Sequence, residues 1–467
     1  MKHLNLHPHH RQLRRDTDMT TGNVFGHLIR FSIPLLLGNI FQQLYNTVDT
    51  WVVGNFVSDE AFSAVGTVGP ITNMLIGFFL GLSSGAGVVI SQYYGAKRED
   101  KVSETVHTAL LMTVIVGIIF TVGGILMIPL MLQLIDMPAE VIADATTYLT
   151  IYFAGMIGLM FYNMGSGILR AVGDSKRPFY YLVVSAVLNT VLDLVFVIVF
   201  KMGVAGVAYA TIIAQAVSAA LTLISLARSK SCVRFHLRKL RLHWSVLGKI
   251  FRVGIPAALQ MAITAFSNVF VQSYINYFGQ DCMGGWTAYS KIDQLIFLPM
   301  QSLALAATTF VGQNLGMNQV DRAKEGTRKA LLLAMSATIV LIIPVVIFAP
   351  TLVTFFNGNP EVQRFGSQFL RTISPFYVLC CFNQIYSGSL RGAGNSRATM
   401  IIMLLSFVAF RQVYLWIMAN YVSNTVFPIS MGYPAGWLMC SALTMIYYKK
   451  VDLGRNRLLD PSEVGTN

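Results

Sequence analysis

The chain has 467 residues, of which 54% are apolar and 12% are charged, roughly half the charged share of a soluble domain. A mean hydropathy of +0.59 with 12% aromatic residues excludes an ordinary soluble protein and a disordered chain, and indicates a protein of the lipid bilayer. The net charge of +13 does not predict a nucleic-acid partner, because Lys and Arg stand in short clusters between apolar runs.

A run of about 20 apolar residues is the length that crosses the hydrocarbon core of a bilayer as an α-helix. Along this chain such runs predict twelve transmembrane helices, so the predicted fold class is an all-α integral membrane protein. The predicted spans cover 25–53, 62–90, 105–130, 139–168, 178–200, 204–227, 248–278, 286–313, 327–350, 361–389, 398–421 and 427–448.

Positive charge alternates between the connections of these spans. Lys and Arg cluster after the even-numbered spans, whereas Lys201 is the only basic residue that follows an odd-numbered span. Because cytoplasmic loops carry the excess of Lys and Arg, the pattern predicts that both termini are cytoplasmic. The predicted tails are 1–24 and 449–467, and a basic cytoplasmic linker is predicted at 228–247.

The second half of the chain repeats the first. A shift of 221 residues places Leu-Arg-Ala-Val-Gly-Asp-Ser-Lys (169–176) on Leu-Arg-Gly-Ala-Gly-Asn-Ser-Arg (390–397). Because the shift covers six helices, an even number, the two copies keep one orientation, as in the parallel repeats of transporters. We therefore predict two six-helix bundles around a central cleft, a first lobe at 25–227 and a second lobe at 248–448.

Prolines and glycines within the predicted spans indicate where a helix can bend and where two helices can approach closely. Pro34 and Pro256 occupy matching positions in spans 1 and 7, where each removes a backbone hydrogen bond and allows either a static bend or a hinge. Gly77, Gly81 and Gly85 recur at four-residue steps, which predicts a close helix contact. The same stretch matches the Gly-x-Ser-x-Gly pattern of hydrolases, but that pattern requires a strand–turn–helix context.

Two carboxylates of the first half fall within predicted spans. Asp49 lies in span 1, and Asp193 lies in span 5 four residues after Asn189, so that the latter two project from one helix face. Counting residues from the ends of their spans puts both carboxylates, Tyr148 and Thr211 at one depth, roughly 10–14 Å below the outer surface. Because ionisable groups are costly in a bilayer, a functional site is predicted here.

Other polar residues of the spans allow two interpretations. Gln42 and Asn46 lie on one helical stripe with Asp49. Gln42, Tyr148 and Thr211 can each line a site or simply hydrogen-bond to a neighbouring helix. In the second half, the roles of Asp293 and Arg411 are left open. The repeat-related partners of the first-half site are apolar, aromatic or glycine residues, so the second half lacks it. These partners are Val271, Phe410, Tyr414 and Gly432.

Taken together, these features resemble the multidrug and toxic compound extrusion (MATE) family over residues 24–450. They are the 6 + 6 repeat, the paired loops at 169–176 and 390–397, the two prolines, and Gln-Tyr-Tyr-Gly (92–95) matched by Gln-Asn-Leu-Gly (313–316). The acidic first half is closer to the DinF-like branch of that family.

The resemblance implies a bacterial multidrug exporter of the cytoplasmic (inner) membrane, working by alternating access in exchange for H⁺ or Na⁺. Its expected partners are cationic or amphipathic drugs and the lipid bilayer, and it is expected to be a monomer with no cofactor apart from the coupling ion. The alternative is a lipid-linked precursor flippase of the same superfamily, which commonly has more than twelve spans. Enzyme activity is not expected, because the histidines are assigned to tails or loops.

The resemblance also implies roles for particular residues. In DinF-like proteins, the positions that match Asp49, Asn189, Asp193 and Thr211 are associated with cation coupling, and Na⁺ is the metal ion that they could hold. Substrate or network positions are expected nearby, and Pro34 is the expected hinge. The substrate or network positions are Gln42, Asn46, Tyr148 and Asn163.

Overall fold

The computed structural model describes residues 17–57, 59–134 and 137–465, and every regular element in these ranges is helical. This confirms the predicted all-α fold class. Most of the predicted first tail, including its histidines, lies outside the described residues. The helices of the first lobe are α1 (Val24–Phe56), α2 (Asp59–Gly95), α3 (Glu99–Leu134), α4 (Ile142–Ala171), α5 (Lys176–Val199) and α6 (Gly203–Ala227).

The second lobe is built from more, shorter pieces. Its helices are α7 (Trp244–Asn276), α8 (Gln280–Gly316), α9 (Val320–Ile347), α10 (Ala349–Thr354), α11 (Pro360–Ile373), α12 (Tyr377–Gly392), α13 (Ser396–Val422), α14 (Val426–Ser430) and α15 (Gly432–Lys450). Ten helices within the described ranges are long and apolar enough to cross a membrane.

Predicted spans 10 and 12 are broken in the structure. Span 10 corresponds to α11 and α12, which are separated by a 3₁₀ turn at Ser374–Phe376. Pro375 lies within that turn, and its missing N–H prevents an uninterrupted α-helical ladder. Span 12 corresponds to α14 and α15, which are separated at Met431. Each crossing is therefore assembled from two helical pieces.

The assignment of every histidine to a tail or a loop is wrong. His27 lies in α1, and His107 lies in α3 with 1% of its surface exposed. The His107 Nε2 atom accepts the backbone N–H of His236 at 3.1 Å. Both residues lie within the predicted spans 25–53 and 105–130, and the first turns of α3, which begins at Glu99, pack against the linker between the lobes.

Helices α1 and α7 each pack on both lobes. In the first half of α1, Leu28 and Phe31 are buried in the hydrophobic core of the second lobe, whereas Val52 near its end packs on α5 and α6. In α7 the arrangement is reversed, since Ile250 is buried in the core of the first lobe and Val271 in that of the second. Each helix therefore crosses from one lobe to the other.

The glycine stripe of α2 makes the close helix contact that its spacing predicts. A Cβ atom on Gly81 would lie 2.4 Å from the backbone of Ala258, and one on Gly85 would lie 2.7 Å from that of Gly254. Both partners belong to α7, so this contact joins the two lobes. The hydrolase motif is therefore part of a helix–helix interface.

The two lobes are in close contact at the face of the molecule where α2 and α8 end. At the ends of α2 and α8, a Cβ atom on Gly95 would lie 1.8 Å from the Gln313 carbonyl oxygen, and one on Gly316 would lie 2.0 Å from that of Gln92. Near the other end of α2, Gly66 has no such neighbour within 4 Å. We call the end where Gly95 and Gly316 meet the opposite lobe the closed face.

Candidate functional site

The structure brings Asp49 of α1 together with Asn189 and Asp193 of α5. With its amide oriented to satisfy both acceptors, Asn189 donates to Asp49 Oδ1 at 2.7 Å and to Asp193 Oδ2 at 3.1 Å. The two carboxyl groups also contact each other. One neutral amide therefore bridges two acids that come from different helices.

Asp193 is unusually buried for an acid. Asn189 and Asp193 have 0% of their surface exposed, and Asp193 Oδ1 accepts no hydrogen bond from any residue that the structure describes. A buried carboxylate oxygen without a partner is costly unless a proton or a cation joins it. Two residues after Asp193, α5 passes into a π-helical turn at Val195–Val199, a distortion frequent at functional sites.

Hydroxyl groups complete the surroundings of the pair. Tyr45 hydrogen-bonds to Asp49 and to Thr211, and Thr211 also donates to the Val207 carbonyl of its own helix at 3.0 Å. The Tyr148 ring lies in the same layer of the first lobe. Side chains from α1, α4, α5 and α6 thus converge, as the counting of depth predicts.

Three side chains of the site escaped the sequence analysis: Tyr45, Tyr152 and Gln215. The Tyr152 ring stacks on that of Tyr148 with centroids 6.0 Å apart, and its hydroxyl group hydrogen-bonds to Gln215. Helical spacing could have indicated two of them, since Tyr45 precedes Asp49 by one turn and Gln215 follows Thr211 by one turn.

The remaining predicted positions lie around this centre at different distances. Gln42 is two turns before Asp49 on α1, and Asn46 is exposed one turn before it. Asn163 is not brought to the acids, because it follows Tyr148 by 15 residues on α4, about 22 Å along the helix axis. Its side chain donates to the Leu159 carbonyl of its own helix at 3.0 Å.

The oxygen-rich donor set suits a proton or a hard cation such as Na⁺. Asp49, Asp193 and Thr211 offer carboxylate and hydroxyl oxygens, and Asn189 can present its amide oxygen when the group is turned over. Among the residues that the structure describes, no group of three His, Cys, Asp or Glu side chains is arranged to hold a metal ion.

The equivalent place in the second lobe is basic rather than acidic. Next to Phe410, the repeat partner of Asn189, Arg411 is 2% exposed and donates to Ser267 Oγ at 2.6 Å and to Asn268 Oδ1 at 2.9 Å. Its guanidinium group lies 4.9 Å from the centre of the Tyr433 ring. A cation there disfavours a second cation site.

The second lobe holds its own hydrogen-bonded acid elsewhere. Asp293 on α8 accepts the Tyr289 hydroxyl at 3.2 Å and also the Tyr377 hydroxyl, and the two hydroxyl groups lie 3.2 Å apart. Tyr289 precedes Asp293 by one turn of α8, whereas Tyr377 comes from α12 and could not be placed beside Asp293 from the sequence. Both bonds converge on one oxygen of Asp293, which anchors the side chain within its lobe.

Comparison with protein families gives one clear match. The MatE family model matches the chain twice, at residues 34–195 and 256–417, in agreement with the internal repeat. In Bacillus subtilis (strain 168), the probable multidrug resistance protein YpnP is 30% identical over 432 residues, or 92% of this chain and 96% of that protein. The probable multidrug resistance protein YoeA of the same strain is 28% identical, over 90% of this chain and 92% of that protein.

Solved structures share the same fold. The outward-facing conformation of a multidrug resistance MATE family transporter of the MOP superfamily superimposes with a TM-score of 0.86 at 24% identity. The alignment covers 92% of this chain and 96% of that one. The helical fold of this chain is therefore that of a known class of structures.

Proposed function

The chain belongs to the MATE family of multi-pass membrane transporters, which are not enzymes, and from that premise we propose that it exports drug-like small molecules by ion-coupled antiport. The names of the Bacillus subtilis relatives support this proposal. The expected substrates are cationic or amphipathic compounds, and the expected site of action is the bacterial cytoplasmic membrane, with the protein as a monomer. Membership of the DinF-like branch stays a prediction.

The observation that carries the proposal is the bridge from Asn189 to Asp49 and Asp193 inside the first lobe. Two ionised carboxylates in contact repel each other, and a proton on one of them or a Na⁺ ion between them removes the repulsion. The amide of Asn189 serves either form, because its nitrogen donates to the carboxylates and its oxygen can join a bound Na⁺. Ion uptake thus changes the charge of a buried site.

Helix α1 provides the connection from this site to the rest of the molecule. Its second half carries Asp49, its first half is packed in the core of the second lobe, and Pro34 lies within that first half. When an ion neutralises Asp49, the repulsion between Asp49 of α1 and Asp193 of α5 is removed. Because α1 is shared by both lobes, a shift of this helix alters how the lobes meet, which is the step that alternating access requires.

The proposed activity can be tested with the purified protein in proteoliposomes. Efflux of a fluorescent cationic dye is measured with a pH gradient or a Na⁺ gradient imposed separately. We expect one gradient to drive efflux and the other to have little effect, which identifies the coupling ion. Absence of efflux with either gradient, together with movement of a lipid-linked precursor between leaflets, would replace this proposal by the flippase alternative.

The charge pattern of the loops predicts the orientation of the protein. A phosphatase that is active only outside the cytoplasm should be inactive when fused after Lys450, and a green fluorescent protein fused there should fluoresce. The matched control is fusion after Asn357, in a connection without Lys or Arg, where the two signals should be reversed. An active phosphatase after Lys450 would contradict the predicted topology.

The two repeat-related prolines should differ in importance. Pro34→Ala is expected to lower the initial rate of dye efflux several-fold more than Pro256→Ala, because the helix of Pro34 carries Asp49 whereas the helix of Pro256 carries no acid. The two variants serve as controls for each other, since each restores one backbone donor inside a helix of 33 residues. Wild-type rates of efflux in both variants would show that Pro34 is not a hinge.

A further inference from the structure

The two Gln-x-x-Gly motifs meet the opposite lobe at the closed face. Gln92 of α2 donates from Nε2 to the Gly392 carbonyl of the second lobe at 2.8 Å, and Gln313 of α8 donates to the Ala171 carbonyl of the first lobe at 2.9 Å. Donors and acceptors are both related by the shift of 221 residues. Both glutamines are 0% exposed, so these bonds between the lobes are shielded from water.

The other end of each glutamine amide holds a segment outside the helices. Gln92 Oε1 accepts the backbone N–H of Leu458, which follows α15, at 2.8 Å. Gln313 Oε1 accepts the backbone N–H of Met19, which precedes α1, at 2.9 Å. Each buried amide therefore joins three parts of the chain, and separation of the lobes would leave its polar atoms without these partners.

The segment before α1 is attached to both lobes. The Asp18 carboxylate pairs with Lys97, in the turn after α2 of the first lobe. The Met19 carbonyl accepts Asn314 Nδ2 at 3.3 Å and Arg322 Nη2 at 3.2 Å, both from the second lobe, and the Met19 side chain is 1% exposed. We call residues 17–23 the first latch.

The segment that follows α15 is also attached to both lobes. Glu463 accepts the Tyr93 hydroxyl of α2 at 3.3 Å and the Lys249 ammonium of α7 at 3.1 Å. Two residues later, the Gly465 backbone N–H donates to the Gly316 carbonyl at the end of α8 at 3.0 Å. We call residues 451–465 the second latch, and it too connects both lobes.

The charges of the latches are matched to their surroundings. Burial raises the pKa of Asp18, but hydrogen bonds from Lys97 and Thr20 outweigh it and hold that pKa below its ordinary value. Burial likewise raises the pKa of Glu463, and the Asp460 backbone and Lys249 bring it below the ordinary value. Both carboxylates are thus charged at neutral pH, when their pairs with lysine are complete.

We propose that Gln92 and Gln313 are the positioning residues of a gate at the closed face, and that the two latches hold this gate shut. The proposal deepens the proposed function, because it says what sets the balance between the two states of an alternating-access cycle. Each bond described above either joins the two lobes directly or ties one of the latches, which contact both lobes, to one of them. These bonds stabilise only the state in which the closed face is shut, and a differential interaction of that kind shifts a two-state equilibrium.

The gate can be probed by the accessibility of a cysteine placed inside it. Ser91 is 1% exposed on α2, and a Cβ on Gly312 of α8 would lie 2.1 Å from its hydroxyl oxygen. Ser91→Cys is combined with replacement of the native cysteines except Cys440, which is fully buried in the second lobe and reports unfolding. Labelling by a membrane-impermeant maleimide is then followed in the purified full chain, without substrate or ion gradient.

We expect the double variant Gln92→Ala with Gln313→Ala to raise the rate of labelling at position 91 by at least roughly tenfold, since two buried hydrogen bonds between the lobes and two to the latches are lost. Cys440 should stay unlabelled. The matched control is Gln133→Ala, which removes an exposed glutamine of the first lobe and should leave labelling unchanged. An unchanged rate in the double variant with Cys440 unlabelled would overturn the gate.

The latches are tested with variants that disturb no buried amide. Glu463→Gln with Asp18→Asn should raise labelling at position 91 by a few-fold, and high salt should produce part of the same effect in the unmodified chain. If Cys440 is labelled in the glutamine double variant, that variant has unfolded and the latch variant is the test of the gate. An unchanged rate of labelling at position 91 in the latch variant then overturns the proposal. Because no transport is measured, failure of the gate is distinct from failure of the proposed export activity.

Discussion

Asp49→Asn and Asp193→Asn should each reduce ion-driven efflux to the background of empty proteoliposomes, while the amount of protein in the membrane stays nearly unchanged. Asparagine has the shape of aspartate, so no cavity is created, but it carries no charge that a proton or Na⁺ can neutralise. Because Asn189 bridges both acids, removal of either charge leaves no pair for the ion to join. Initial rates under each gradient measure the effect.

The matched control for this prediction is Asp293→Asn. Asp293 is also an acid in a membrane helix, but tyrosine hydroxyls hold it in the second lobe, away from the bridge of Asn189. Coupled efflux should therefore survive in this variant. Wild-type efflux in both Asp49→Asn and Asp193→Asn, with loss of efflux in Asp293→Asn, would move ion coupling to the second lobe.

The core of this site could be predicted because helices have a fixed rise. Hydropathy gives the approximate ends of the spans, and counting from those ends brings Asp49, Asp193, Thr211 and Tyr148 to one depth. The same counting separates Asn163 from them, as the structure does. Residue spacing within one helix therefore carried most of the information about the acid pair.

The aromatic part of the site could not be predicted in the same way. Tyr45 and Tyr152 stand at helical spacings that are equally typical of a hydrophobic core. Only the contact between different helices shows that the Tyr45 hydroxyl reaches Thr211 and that the Tyr152 hydroxyl reaches Gln215. Hydroxyl groups on apolar rings are therefore the residues for which sequence patterns are least informative.

Helix ends and lobe contacts depend on interactions that hydropathy does not record. The apolar run of span 2 predicts 62–90, but α2 extends over Asp59–Gly95 because backbone hydrogen bonds continue into polar residues. The extra turn at its end carries Gln92 and Gly95 into the second lobe. The internal repeat relates Gln92 and Gly95 to Gln313 and Gly316. It does not show that each of these residues contacts the opposite lobe.

Gly95→Ala and Gly316→Ala should each lower dye efflux at least about tenfold, because the closed face can no longer shut fully. The added Cβ would lie 1.8 Å from the Gln313 carbonyl oxygen in the first variant and 2.0 Å from that of Gln92 in the second. These obstacles are backbone atoms of the opposite lobe, so no side-chain rotation relieves the clash. Only separation of the lobes does.

The matched control is Gly123→Ala on α3, where a Cβ meets no atom within 4 Å and alanine favours the helix. Its efflux should equal that of the unmodified protein. The cysteine at position 91 should label faster in Gly95→Ala and Gly316→Ala than in Gly123→Ala, with Cys440 unlabelled in all three. Alternating access requires that each face of the transporter shut in turn, so loss of this contact should stop the cycle. Wild-type efflux in both interface variants would mean that transport does not require this contact between the lobes.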